Sequence, residues 1–510
     1  MSQRYIYGMF VRKKKNKSGV ISVQVIDKSS GKYKLLKTIG SSNDTDEIAK
    51  LEEEGKSYID NVLGQESLNF DADSFTKEVL KSIKSIDIAG VDLVLGSIYE
   101  EIGFSDINSE IFKYLVILRI THPGSKLKTT EHLRRYFSVD LNEDKIYRYL
   151  DKLHKDQKEQ VQQISYAHTL KVLDNVISIV FYDVTTLYFQ IDDDDQIRKR
   201  GFSKDGKHQN PQIVLGLLVS LGGYPLAFEI FEGNKFEGHT MLPVLDAFKE
   251  KYKLDQLVIV ADSGLLSSKN IEELQEKGYE FILGARIKNE KQDLKDKILN
   301  LDLKNGQSQI IEKQENLKLI ISFSDKRAKK DRHNRERGLQ RLEKHLKSGK
   351  LTKSSINNRG YNKYLVMNGD VKISIDKSKL EEDQKWDGLK GYMTNTTLTK
   401  DQIIENYGHL WRIEKAFRIS KHDLKIRPIY HRLQRRIEAH ITINFAAYKV
   451  YKELERQLIE KGSDLSPEKV IDIAKTIFAI SIKLPSNKLI EKEVLILNEE
   501  QNQIKELFGF

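Results

Sequence analysis

Three acidic residues stand where carboxylates could converge. Asp183 closes the apolar run Val176-Ile177-Ser178-Ile179-Val180-Phe181-Tyr182, and Asp262 closes a second, Leu257-Val258-Ile259-Val260-Ala261. Glu414 falls in Tyr407-Gly408-His409-Leu410-Trp411-Arg412-Ile413-Glu414-Lys415-Ala416-Phe417-Arg418, whose apolar spacing predicts a helix. Two carboxylates at adjacent strand ends and a third on a packed helix make an oxygen-rich cage suited to Mg²⁺, with Mn²⁺ as its substitute. Paired ions about 3.5–4 Å apart turn a water or a 3′-hydroxyl into a nucleophile and stabilise a leaving 3′-oxygen. The chemistry expected of such a set is metal-assisted phosphoryl transfer on nucleic acid.

On one regular helix, Tyr407 and Lys421 would lie seven residues either side of Glu414, near one line and each about 10 Å away along the axis. Arg418, four residues after Glu414, joins that face, and Leu410, Ile413 and Phe417 supply apolar anchors. Cationic groups one and two turns beyond a metal ligand are placed to hold a scissile phosphate and its neighbours.

The elements that must position these residues follow from the pattern of the chain. The run at Val176 is read as a strand ending at Asp183, followed by strands Gln212 to Ser220 and Tyr224 to Phe231. A helix from Thr240 to Lys251 leads to the strand ending at Asp262, and a helix from Ser268 to Lys277 precedes Phe281-Ile282-Leu283. The order β-β-β-α-β-α-β is that of an RNase H-like mixed sheet, in which the first and fourth strands are neighbours. The fold class expected is α+β or α/β and multidomain, with such a sheet as its core.

Around this core the chain divides into 1–88, a β-hairpin (Ile21 to Ile26, Tyr33 to Ile39) and a charged helix from Asp44 to Leu63; and 89–173, helical. In the latter, Thr130 to Tyr136 and Asn142 to Leu153, with Arg134, Arg135, Lys145 and Arg148, loosely resemble a helix-turn-helix, so DNA binding is expected there. Residues 174–285 and 386–431 form the core, 286–385 an insertion with β-like stretches (Leu317 to Phe323, Tyr361 to Met367, Val371 to Ile375), and 432–510 a helical C-terminal region. Both tryptophans, Trp386 and Trp411, read as core residues, and Asp192 to Asp195 as a solvated loop.

The 510 residues hold 85 Lys and Arg against 75 Asp and Glu, a net +10, and no cysteine, which excludes disulfides, thiolate metal sites and cysteine nucleophiles. Much of the surplus is local: Asp325 to Lys353 carries 12 basic and 4 acidic residues, a net +8. Such a block, and the run Lys421, Lys425, Arg427, Arg432, Arg435, Arg436, fits a phosphate backbone. Met1 to Tyr5 opens no long apolar core, and no stretch approaches the roughly 20 apolar residues of a membrane span. A cytoplasmic, nucleoid-associated protein with no membrane partner is expected.

The chain resembles the DDE transposases of bacterial insertion sequences, and more narrowly the branch with the signature Y-x2-R-x3-E-x6-K on its last catalytic helix. That signature reads here Tyr407, Leu410 in place of arginine, Glu414 and Lys421. Tyr182-Asp183-Val184-Thr185-Thr186 and Val260-Ala261-Asp262-Ser263-Gly264 are similar to the two aspartate motifs, and Ile426-Arg427-Pro428-Ile429-Tyr430-His431-Arg432 to the segment after the glutamate helix. The resemblance implies Asp183, Asp262 and Glu414 as catalytic metal ligands, and Tyr407, Arg412, Arg418 and Lys421 as DNA-binding residues; either Arg412 or Arg418 serves where Leu410 cannot, or this subgroup dispenses with that contact. It implies Mg²⁺-dependent endonuclease cleavage at terminal inverted repeats, strand transfer to target DNA, and a homodimer or larger assembly on double-stranded DNA. The alternatives are a non-catalytic DNA-binding regulator derived from a transposase and an RNase H-like nuclease that cuts without joining.

Overall fold

Alternating apolar residues build a small antiparallel sheet near the N-terminus, ordered β1-β2-β3 from Met9–Lys15, Ile21–Asp27 and Lys34–Ser42. The expected hairpin is β2–β3; β1 is an additional strand whose Arg- and Lys-rich sequence hides its alternation. Val23, Val25 and Ile26 of the central strand are buried, and the helix Thr45–Val62 packs on the sheet. The computed structural model describes residues 8–62, 79–254, 257–265, 267–314, 316–352, 355–357, 360–368, 372–483 and 490–510. Leu63, Lys353 and Val371, named above as ends of segments, lie outside the described residues, as does Met1 to Tyr5. The chain forms two units, Met1–Lys84 with Ser481–Glu491 and Ser85–Ile480 with Lys492–Phe510.

After strand β4 (Ile83–Ile88), the second unit opens with helices. Ser109, Ser125 and Asn142 cap Glu110–Thr121, Lys126–Tyr136 and Glu143–Lys152, each accepting from the backbone N–H three residues on. The first and third of these, with Lys158–Val172, pack against the long helix Gln434–Glu460, whose middle is buried on all sides. Of the two helices read as a helix-turn-helix, the second thus buries Ile146, Tyr149 and Leu150 in this core, and the first buries Leu133.

The core sheet has eight strands in the order β10-β11-β14-β9-β8-β5-β6-β7. β5 (Ile179–Tyr188), β6 (Gln212–Ser220) and β7 (Pro225–Glu232) form an antiparallel meander. β8 (Val258–Ala261) and β9 (Glu280–Ala285) run parallel to β5, so the first and fourth strands of the core are neighbours as expected. β6 is buried at every residue because both faces are covered, which is why Gln-Ile-Val-Leu-Gly-Leu-Leu-Val-Ser shows no alternation. One face packs Phe181, Leu187, Val260 and Ile282 with Ile413, Phe417 and the helix Gln434–Glu460. The other packs Val180, Tyr182, Ile259 and Phe281 with residues of the helices Met241–Tyr252 and Ser268–Glu276.

β10 (Ser308–Gln314) and β11 (Leu317–Phe323) join the core sheet through β14 (Leu389–Thr394), which pairs antiparallel with both β11 and β9. Between them lie the basic helix Asp325–Lys347 and the hairpin of β12 (Leu365–Asn368) and β13 (Lys372–Ile375), which share a small cluster around Leu342, Tyr364 and Leu365.

Three expectations need correction. β5 does not end at Asp183 but continues to Tyr188, because Val184 to Tyr188 go on pairing with β6. The region after 432 is not wholly helical: β15 (Phe478–Lys483) and β16 (Ile490–Leu495) lie between the helices Pro467–Ala474 and Glu499–Phe508. Trp411 is 51% exposed, since Ile413, Ala416 and Phe417 take the inner face of its helix; Trp386 is buried.

Phe281, fully buried on β9, tests the sheet–helix packing. Phe281→Ala is expected to destabilise the protein by roughly 3–5 kcal/mol, read as a lowered midpoint of urea unfolding.

A candidate catalytic site between two basic clusters

The last paired residues of β5 and β8 are Tyr182 and Ala261, so Asp183 and Asp262 follow side by side on neighbouring strands. Asp183 lies on the same face of β5 as Phe181 and Leu187, the face covered by the helix Trp411–Arg418. Asp262 leaves the sheet into a tight turn, Ser263–Leu265, and is exposed.

Asp183 is mostly buried, and that burial raises its carboxyl above the usual range against the opposing pull of Lys204. Lys204 comes from the β5–β6 connection, where its N–H donates to Thr186 Oγ1 at 3.1 Å. Its ammonium donates to the Val184 carbonyl at 2.7 Å and lies 3.5 Å from Asp183 Oδ1 and 3.3 Å from Glu237 Oε1. One cation therefore bridges two carboxylates. A Cβ on Gly264 would lie 3.7 Å from Glu237 Oε2, so Glu237 also reaches the turn after Asp262. Sequence reasoning missed both Lys204, in an irregular connection, and Glu237, in the single turn Glu237–His239, because neither segment has a periodicity to mark it.

The Glu414 segment is not one continuous helix. Lys400–Gly408, opened by a Thr399–Gln402 capping box, is followed by Trp411–Arg418 and then by a wider turn, Ile419–Asp423. Between them Leu410, Arg412 and Ile413 donate to the carbonyls of Tyr407, His409 and Leu410, each three residues back. Gly408, a weak helix former, and the burial of Leu410 in the core account for the break. The position expected to hold arginine therefore faces apolar side chains.

Tyr407 ties the first helix to the site, its hydroxyl donating to Asp262 Oδ1 at 3.1 Å. Burial, and then the Asp262 charge, push the phenol well above its ordinary range. A Cβ at Gly284 on β9 would collide with this hydroxyl. The Lys390 ammonium, from β14, lies 4.2 Å from the Tyr407 ring centre. Burial depresses Lys390, as does Arg327, while Asp262 and Glu414 both act to keep it charged. Lys390 was not anticipated from sequence, where Leu-Lys-Gly-Tyr-Met-Thr is an ordinary strand. With Arg327 it lines a cleft of about 640 Å³ beneath the basic helix.

On the other side of the carboxylates, Lys421 and Arg427 meet Asp205 at 3.4 and 2.7 Å. Burial lowers Lys421, and nearby Arg427 and Lys204 lower it further. Asp183, Asp262, Glu414, Tyr407 and Lys421 are thus gathered at the end of the parallel strands, with Glu414 and Arg418 exposed. Arg412 is turned away: two residues before Glu414 on the helix, it faces Glu455 and Tyr448, and its guanidinium lies 5.5 Å from the Trp411 ring centre. Among the described residues no three acidic or histidine side chains converge tightly enough to enclose a metal ion.

Lys204→Met is expected to raise the Asp183 carboxyl further, since it removes the cation that favours ionisation. A raised folded-state pKa gives stability that is present below the unfolded value and lost as pH rises through the folded value. The variant should therefore lose more stability than the parent as pH rises, over a window that extends to higher pH; ¹³C NMR titration of the metal-free protein reads the carboxyl directly.

The profile of the transposase DDE domain family matches residues 174–449, more than half of the chain. No curated protein matches it. Among solved structures it is similar to a piggyBac transposase synaptic complex with hairpin DNA, at 10% identity and TM-score 0.39 over 76% of this chain and 78% of that one. It is also similar to a Mos1 transposase paired-end complex with the left transposon end, at 11% identity and TM-score 0.16 over 34% of this chain and 58% of that one. With Asp183, Asp262 and Glu414 all inside the matched span, the chain belongs to the transposase DDE domain family.

Proposed function

We propose that this protein is the transposase of an insertion sequence, cleaving DNA at terminal inverted repeats and joining the freed ends to target DNA. Asp183, Asp262 and Glu414 would hold Mg²⁺, for which Mn²⁺ substitutes. The observation that carries the reading is the parallel register of β5 and β8, which sets Asp183 beside Asp262, with Tyr407 fastening the glutamate segment to the second aspartate. The donors are hard carboxylate oxygens suited to Mg²⁺, and the Lys204 ammonium already holds positive charge between Asp183 and Glu237. When bound, the metal lowers the pKa of a water or 3′-hydroxyl and neutralises charge on the leaving oxygen.

The residues themselves supply positioning. Tyr407 holds Asp262 by its hydroxyl. Lys390 and Lys421, on opposite sides of the carboxylates, together with exposed Arg418, would hold phosphates on either side of the scissile bond. Lys390 takes the part that Leu410 cannot play, and Arg412, turned away from the carboxylates, braces the helix instead. The helical segment 89–173 and the basic helix Asp325–Lys347 would add duplex contacts. The working form would be a homodimer or larger assembly bringing DNA ends together in the nucleoid.

The first test is Mg²⁺-dependent cleavage and joining of the DNA flanking the gene. Wild type should do both, and Glu414→Gln should lose both by on the order of a thousand-fold, roughly 4 kcal/mol of activation free energy. Tight binding without chemistry in either protein would replace this reading with a DNA-binding regulator; cutting without joining would leave a nuclease.

Gly284→Ala is a subtler probe, because the added methyl displaces Tyr407 from Asp262 and presses on the turn after Asp262 while leaving all three proposed ligands in the sequence. Cleavage should slow by about 100-fold, the scale of a misplacement of about 1 Å, while duplex affinity in a gel-shift assay stays within about twofold, a change of roughly 0.4 kcal/mol.

A further inference from the structure

The helix Lys126–Tyr136 begins beside a buried group of basic side chains that the proposed chemistry does not use. Arg119, Lys126, His431 and His440 are 5, 5, 8 and 5% exposed. Arg119 Nη1 makes one long bond, 3.4 Å, to the Lys425 carbonyl, and its Nε has no partner. His440 Nε2 lies 3.0 Å from the next carbonyl, Ile426, so it donates there and leaves Nδ1 unpartnered. The His431 and His440 ring centres are 5.6 Å apart. Arg119 and Lys126 act electrostatically on both histidines and on each other. Among the described residues no carboxylate pairs with Lys126. The nearby Asp151 is engaged by Arg435 and Arg436, at 2.8 and 2.9 Å.

Buried cations cost free energy unless they are paired. Lys126 is also misplaced for its own helix, since a positive charge in the first turn opposes the helix dipole. Burial accordingly depresses Lys126 and both histidines. A single anion would offset all of these penalties, accepting from the guanidinium and the ammonium and sitting against a helix N-terminus.

We propose that Arg119, Lys126, His431 and His440 form a site for a phosphate group at the start of the helix Lys126–Tyr136. The phosphate belongs to a DNA backbone or is free; the DNA source rests on the function proposed above, whereas the site itself does not.

The test uses the full-length protein and Lys126→Met, which replaces an unpaired buried cation with an apolar side chain of similar length. Thermal unfolding is followed in inorganic phosphate and in chloride at matched ionic strength, without metal. Phosphate should raise the wild-type midpoint. The variant should start higher in chloride and respond to phosphate little or not at all, while Lys126→Arg keeps the response. Glu414→Gln should respond as wild type does, which separates this site from the fate of the catalytic reading. The salt dependence of binding to a duplex of the flanking DNA then names the source. Loss of one backbone contact in Lys126→Met lowers the slope of log K against log salt by about 0.9, whereas an unchanged slope, with phosphate raising the wild-type midpoint and not the variant's, assigns the site to free phosphate. A wild-type protein indifferent to phosphate, with a slope that Lys126→Met leaves unchanged, overturns the proposal. So does a destabilised Lys126→Met that still responds to phosphate.

Discussion

Between Ile179 and Tyr182, β5 runs parallel to β8, and two apolar runs some eighty residues apart in the chain end side by side because of it. Parallel pairing needs a crossover to bring the chain back, and here the meander of β6 and β7 and the helix Met241–Tyr252 supply it. Covered on both faces, the strands are held in register by side chains that would all change faces on a one-residue slip. The same slip would turn Asp183 from the face of the Glu414 helix to the face of Tyr182. The core packing and the placing of the carboxylates are thus one constraint.

Gathering acidic groups at one end of a sheet creates repulsion that the fold must offset. Lys204 does this for Asp183 and Glu237, and the Tyr407 hydroxyl does it for Asp262. Neither device adds a fixed acidic ligand to the center of the site, and both leave Asp262 and Glu414 exposed. Lys390 on one side and Lys421 with Arg427 on the other give the surroundings the opposite sign. An anionic strand drawn to those cations would pass over the carboxylates, which is the geometry a phosphodiester reaction requires.

What could be read from the sequence was whatever burial writes into periodicity. β5, β6 and β8 stand out because Val, Ile and Leu runs are needed to fill a sheet covered on both faces, and Asp262 is conspicuous as the first polar residue after such a run. Asp183 was visible for the same reason, but Val-Thr-Thr-Leu after it concealed the continuation of β5, since threonines in a buried strand look like the start of a loop. The break at Gly408 was hidden because the apolar spacing continues through it. Trp411 was misjudged because size suggests burial, while its position on the helix decides exposure. Lys204, Glu237 and Lys390 were out of reach: each matters through a neighbour distant in the chain, and nothing in their local sequence records it.

The insertion is joined to the chemistry through the sheet. β10 and β11 extend it from β14, and β14 pairs with β9, the strand next to β8. Lys390 on β14 is therefore positioned by the same hydrogen-bonded ladder that positions Gly284 on β9, whose lack of a side chain leaves room for Tyr407. At the far end of that ladder the basic helix Asp325–Lys347 is anchored by Arg335, bidentate to Asp387 at 2.5 Å just before β14 begins. Asp387 and β14 thus connect the basic helix to Lys390, whose ammonium lies against the Tyr407 ring. The insertion therefore reaches Asp262 through Lys390 and Tyr407 without contributing a carboxylate of its own, because the strand that carries this cation is a strand of the core sheet.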